Sequence, residues 1–128
     1  MPSGLLLDTH ALIWWASGDR QLSGAVKRII KDPDARVFVS AATAWEIATK
    51  VRLGKLEWNS SDAVESYCLG QNFELLAVTF AHGELAGSWE QDHGDPFDRM
   101  LAAQSRLEQL PLATNDPKIR QFGVSTVW

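Results

Sequence analysis

Gly4-Leu5-Leu6-Leu7-Asp8-Thr9-His10-Ala11-Leu12 sets a short unbroken apolar run against a carboxylate, and this stretch decides the architecture. A strand with one wet face alternates apolar and polar residues, whereas a parallel strand covered on both faces reads as a continuous run. The pattern recurs at Val37-Phe38-Val39, where Ser40 caps a following helix, and at Leu112-Ala113-Thr114, where Asn115-Asp116-Pro117 opens a helical turn. The expected strands are residues 5–7, 37–39, 75–78, 112–114 and 124–127. The expected helices are 9–17, 23–31, 41–53, 60–71, 80–91 and 97–109. Strands alternating with helices imply βαβ units and a short, mostly parallel sheet covered on both faces, an α/β fold.

The chain has 128 residues, 45% of them hydrophobic, which suits one domain over 1–128 with a substantial core. Its 16 acidic and 12 basic side chains leave a formal charge of −4, whereas a free-standing nucleic-acid binder is usually basic. A single cysteine, Cys68, excludes an internal disulfide and a zinc cage. No apolar run is long enough to span a membrane, and Asp8 and His10 interrupt the N-terminal one, so the expected location is the cytoplasm.

Four carboxylates carry the functional reading. Asp8 follows the first strand, Glu46 lies in the helix after the second, Asp98 sits one turn into a helix opened by Asp95-Pro96, and Asp116 follows the fourth strand. Ligands of open α/β sheets bind outside the carboxyl ends of the strands. Each acid also has a plain structural reading. Asp8, Asp95 and Asp116 are N-cap candidates, two of them directly before proline. Thr43 and Glu46 have capping-box spacing, although Ser40 is the better-placed cap. Asp98 would be the third helical residue, where negative charge suits the dipole. Jointly the acids say more. Glu46 lies in the charge-poor stretch Ala41–Ala48, and Asp98 shares a face with Leu101 and Ala102, so both point inward. Buried carboxylates need a counter-charge, and without a Cys or His cluster the fitting ion is Mg²⁺ or Mn²⁺. Such an ion activates water and stabilises the oxygens of a phosphodiester under attack. Removing these four acids leaves acidic and basic residues equal in number.

Leu6-Leu7-Asp8-Thr9-His10-Ala11-Leu12, Trp45-Glu46-Ile47-Ala48 with Lys50, Asp95-Pro96-Phe97-Asp98-Arg99-Met100-Leu101-Ala102-Ala103-Gln104 and Thr114-Asn115-Asp116 resemble PIN-domain proteins. More narrowly they resemble the VapC-type ribonuclease toxins of prokaryotic toxin–antitoxin pairs. The resemblance spans nearly the whole chain, and the Asp-Pro-Phe-Asp-Arg-Met-Leu run is its most specific part. It implies a three-layer α/β/α sandwich, an acidic Mg²⁺/Mn²⁺ pocket, endonucleolytic cleavage of RNA, and restraint by a cognate antitoxin. By position, Asp8, Glu46, Asp98 and Asp116 match the metal-site acids, and Thr9 and Thr114 match polar neighbours that orient the acids or hold water. Asp95 is extra to the minimal pattern and is a further candidate ligand. Phe97 stands where the family often has Asn. The expected assembly is a homodimer.

Lys50, Arg52, Lys55 and Arg99 are the candidate RNA phosphate contacts. His93 reads as a loop histidine with some access to substrate; His10 and His82 read as structural. Trp45 and Trp89 read as core. Trp14 and Trp15 point about 100° apart on a helix, which leaves one for a partner. A phosphotransfer enzyme of the haloacid-dehalogenase type is the rival, but it wants an Asp where His10 stands. A non-catalytic binding module on the same fold is the other rival, and it has no use for a full acid set.

Overall fold

A computed structural model describes residues 4–128; the first three residues of the expected single unit lie outside the described residues. The elements alternate as β1 (Gly4–Leu7), α1 (Thr9–Ser17), α2 (Gly24–Lys31), β2 (Arg36–Ser40), α3 (Ala41–Arg52), α4 (Val64–Gly70), β3 (Glu74–Leu76), α5 (Phe80–Ser88), α6 (Pro96–Glu108), β4 (Leu112–Ala113), a 3-10 segment (Pro117–Phe122) and β5 (Thr126–Val127). The strands form one sheet in the order β3-β2-β1-β4-β5. Every ladder is parallel, so the final strand joins the same direction as the rest. No helix among the described residues is long and apolar enough to cross a membrane.

The two sheet faces explain the unbroken apolar run. Leu5 and Leu7 face one core with Val37, Val39 and Ala113, covered by α1, α2 and α4 through Leu12, Val26 and Cys68. Leu6, between them, faces a second core with Leu101, Ala102, Leu112, Ile119 and Phe122 from α6 and the 3-10 segment. Alternate residues of a strand point to opposite faces, so both directions must be apolar in the middle of a three-layer α/β/α sandwich. Cys68 is fully buried, and that burial pushes its thiol up to about 11, so the side chain is a packing group.

Helix starts follow the sequence closely. Ser40 accepts from Ala42 N–H, Ser23 from Val26 N–H and Thr79 from His82 N–H. The helix expected from Ser60 starts later: α4 begins at Val64, and Asp62 instead accepts through its carbonyl from Trp58 Nε1. Gly18 ends α1 in the left-handed region at φ 67°, where a side chain would be strained.

Chain order fixes where ligands can sit. The connections from β1 through β2 to β3 run to one side, and β4 and β5 lie on the other, so the order reverses between β1 and β4. Asp8 leaves β1, and Thr114 leaves β4, on the two sides of that reversal; Asp8 N–H still donates to Ala113 O at 3.0 Å. A crevice opens at such a switch point.

Leu6→Ala should cost about 2–5 kcal/mol, because Leu6 is fully buried in the second core and its truncation leaves a cavity. Denaturant unfolding measures it; a loss under about 1 kcal/mol would mean that this face of the sheet is loosely packed.

Candidate metal centre

Four elements deliver the expected acids to the switch point. Asp8 stands between β1 and α1 and is buried; its Oδ1 accepts from Ala11 N–H at 2.8 Å, and the Thr114 hydroxyl donates to the same carboxylate. Glu46 is on the buried face of α3, 3% exposed. Its Oε1 accepts from Thr9 Oγ1 and its Oε2 from Lys50 Nζ, each at 2.5 Å. Asp98 lies in the first turn of α6, half-buried. Asp116 caps the 3-10 segment, accepting from Lys118 N–H at 2.9 Å, while its own N–H donates to Thr114 Oγ1 at 3.1 Å. Thr9 and Thr114 thus each hold an acid.

Asp98 is the hub. Its charge acts on Asp8, and the charges of Glu46 and Asp95 act on it. One ligand atom each of Asp98, Asp116 and His93 lie within 4.8 Å of one another. Asp95 behaves as the cap that its proline suggests, accepting through Oδ1 from Phe97 N–H at 2.9 Å and Asp98 N–H at 3.1 Å.

The electrostatics follow from this crowding. Burial pushes the Asp8 carboxyl up to about 6, offset by the N–H of Ala11 and the hydroxyl of Thr114 and aided by the Asp98 charge. Burial also raises Asp98, against the His93 hydrogen bond, with Asp95 and Glu46 adding repulsion. Among the described residues no lysine or arginine forms an ion pair with Asp8, Asp98 or Asp116; Lys50 is paired with Glu46. Acids gathered this way, starved of positive charge and offering oxygen atoms, fit a hard divalent cation.

Several expected roles change. Arg99 is not a free phosphate contact: its guanidinium donates to the carbonyls of Ala86, Trp89, Gln91 and His93, at 2.5–3.0 Å, because the last turn of α5 and the loop that follows it leave those oxygens without a helix or strand partner. Lys50 is tied to Glu46, while Arg52 and Lys55 remain exposed. Trp45 is not core: it is 62% exposed and packs edge-on to Phe97 at 4.8 Å, because α3 turns Ala42, Thr43, Glu46 and Ile47 inward. Neither Trp14 nor Trp15 is free. Trp14 packs against Trp128, and Trp15 Nε1 donates to Gln71 at 3.0 Å. The exposed large apolar side chains include Trp45 and, most exposed of all, Phe80. His82 is structural, pairing its ring with Thr79 N–H and Glu108; His10 is exposed beside Trp14. His93, read as a loop residue, sits on Asp98 at 2.8 Å. Only the fold-back of the loop reveals that contact.

The sequence matches the profile of the PIN domain over residues 5–124. Among solved structures it is similar to VapC20 of Mycobacterium tuberculosis, described as a toxin cleaving the sarcin–ricin loop, with 21% identity and TM-score 0.68 over 96% of this chain and 98% of that one. It is similar to a toxin–antitoxin complex from Klebsiella pneumoniae (19% identity, TM-score 0.63, 91% of this chain and 89% of that one). FitAcB from Neisseria gonorrhoeae also matches, with 19% identity and TM-score 0.61 over 97% and 96%. No curated protein matches the sequence significantly.

The raised Asp8 pKa carries a sign. A carboxyl raised from 3.8 to about 6 in the folded state leaves its stability intact at low pH and loses it as pH rises through about 6. In chelator, thermal stability should therefore fall between about pH 4 and 7, by roughly 3 kcal/mol for Asp8 alone. Asp8→Asn should flatten this fall and melt higher than the parent at pH 7. Identical pH profiles for the two proteins would show that Asp8 is not strained by its burial.

Proposed function

The chain belongs to the PIN domain family, and on that premise we propose that it is a metal-dependent endoribonuclease, the toxin of a toxin–antitoxin pair, using Mg²⁺ or Mn²⁺. The observation that carries this reading is the meeting of Asp8, Glu46 and Asp116 around Asp98, from four separate elements, at the switch point of the sheet. A divalent cation bound there supplies neutralising charge and an activated water for phosphodiester hydrolysis.

The chain's own residues do the rest. Asp8, Asp98 and Asp116 offer oxygens to the cation, while the N–H groups of Ala11 and Lys118 hold Asp8 and Asp116 in place. Glu46, engaged on both oxygens, orients Lys50 and Thr9 beside the acids. Asp95 starts α6 so that Asp98 faces its neighbours. RNA approaches over the exposed Arg52 and Lys55 at the end of α3 and just beyond it. A cognate antitoxin restrains the enzyme, which acts as a homodimer; the structural neighbours include a toxin–antitoxin complex.

The test is cleavage of total RNA with Mg²⁺, Mn²⁺ or EDTA. Cleavage should require the metal, and expression of the chain should arrest growth. Asp98→Asn should lower cleavage by more than about 100-fold and relieve the arrest, since it removes a ligand rather than an outer contact. Asp95→Asn should retain most activity, because Asn also caps, whereas Asp95→Ala should lose about 1 kcal/mol of stability. Activity that survives EDTA rejects the reading; a dead Asp95→Asn beside an active Asp98→Asn would exchange their roles.

Arg52→Gln with Lys55→Gln should weaken RNA binding and flatten the slope of log affinity against log salt by about 0.7 per lost contact. An unchanged slope would place the RNA path elsewhere.

A further inference from the structure

The acids of the switch point do not offer equal access to a cation. Glu46 has one oxygen on Thr9 and the other on Lys50. Asp8 receives the Ala11 N–H and the Thr114 hydroxyl. The atoms that already converge as a ligand set belong to Asp98, Asp116 and His93. His93 is 13% exposed, with its Nε2 2.8 Å from Asp98 Oδ2. Adjacent ligands of an octahedral ion with bonds near 2.1 Å stand about 3 Å apart. The imidazole and the carboxylate are therefore spaced as two neighbouring ligands are.

The loop that carries His93 is fastened. Arg99, the residue next to Asp98 on α6, donates to Trp89 O, Gln91 O and His93 O, and its Nε donates to Ala86 O near the end of α5. Phe122 lies against the His93 ring, with centroids 6.1 Å apart. One guanidinium thus sets both the backbone of His93 and, through its own place on α6, its distance to Asp98. A metal-ligating imidazole needs this kind of outer support.

We propose that His93 is a ligand of the metal centre, which makes the site a mixed imidazole–carboxylate one with a preference for first-row transition ions over Mg²⁺. The inference rests on the metal-centre reading above and adds an imidazole to it. His93 would hold the ion through the Nε2 lone pair, in the neutral tautomer that carries the ring proton on Nδ1; a proton on Nε2 would pass through solvent to Nδ1. Imidazole favours later first-row ions, whereas carboxylate and water alone suit Mg²⁺ and Ca²⁺ as well.

Mn²⁺ titrated into the full chain, followed by electron paramagnetic resonance, separates the outcomes without an activity assay. Bound Mn²⁺ in the parent should show pulsed ¹⁴N coupling from a ligated imidazole. His93→Gln retains a hydrogen-bond donor toward Asp98 but no imidazole; it should lose the coupling and at least about 10-fold in Mn²⁺ affinity, with a smaller change for competing Mg²⁺. His10→Ala, beside Asp8, should keep the coupling, and melting in chelator should show that both variants fold. Mn²⁺ bound without ¹⁴N coupling in the parent, coupling that survives His93→Gln, or coupling lost with His10→Ala instead would overturn the assignment while leaving the metal centre. Failure of the parent to bind Mn²⁺ at all would overturn both.

Discussion

Like charges brought to one edge of a sheet repel, and this fold holds three of them there by backbone N–H groups that donate to their carboxylates. Asp8 caps α1, Asp95 caps α6 and Asp116 caps the 3-10 segment. Each cap uses one oxygen of its carboxylate for the N–H contact of its own turn. The capping reading and the ligand reading of these residues are therefore compatible, since a carboxylate has two oxygens and about four lone-pair directions. Helix N-termini also contribute partial positive charge, which eases the crowding. It does not remove it: burial and mutual repulsion still raise Asp8 and Asp98.

Ionisation of these acids therefore opposes folding on its own and would favour it with a cation bound. A group whose folded pKa lies above its unfolded value destabilises the fold once ionised. A cation that binds only the folded state reverses this in proportion to its occupancy. Among the described residues, Lys50 is the lysine or arginine that forms an ion pair with one of these acids: it pairs with Glu46 and lies in the field of Asp95 and Asp98. A single lysine neutralises one of the several charges, which leaves an excess of negative charge that a divalent ion would fit.

The layers and helix starts were legible because their causes are local. An unbroken Leu5-Leu6-Leu7 has to serve two cores, and Asp-Pro at 95–96 and 116–117 announces a helix start. What escaped the sequence is non-local. The sequence places Arg99 beside Asp98, where a phosphate contact is expected, but its partners are the carbonyls of residues 86–93, which only the folded loop brings near. His93 reaches Asp98 by the same fold-back. Trp14 lost its exposure to Trp128, carried past it from the far end of the chain beyond β5. Trp45 misled for a different reason. A charge-poor helix usually turns its largest apolar residue inward, yet α3 buries Thr43 and Glu46 and leaves the tryptophan outside.

That inversion of α3 ties the acid site to the aromatic surface beside it. Glu46 can face Thr9 only if the α3 face carrying Thr43 and Ile47 is the inward one, and residue 45, about 100° round the helix, is then turned out. Trp45 recovers part of its contact by packing edge-on against Phe97, and the Lys50 ammonium stands 5.8 Å from the same ring. Phe97 directly precedes Asp98. An amide there could hydrogen-bond to a neighbouring acid; a ring cannot, but it can shield the Lys50–Glu46 pair on one side and anchor Trp45 on the other. An aromatic residue at 97 therefore sets an apolar wall beside Asp98, in contact with Trp45 and 5.8 Å from the Lys50 ammonium.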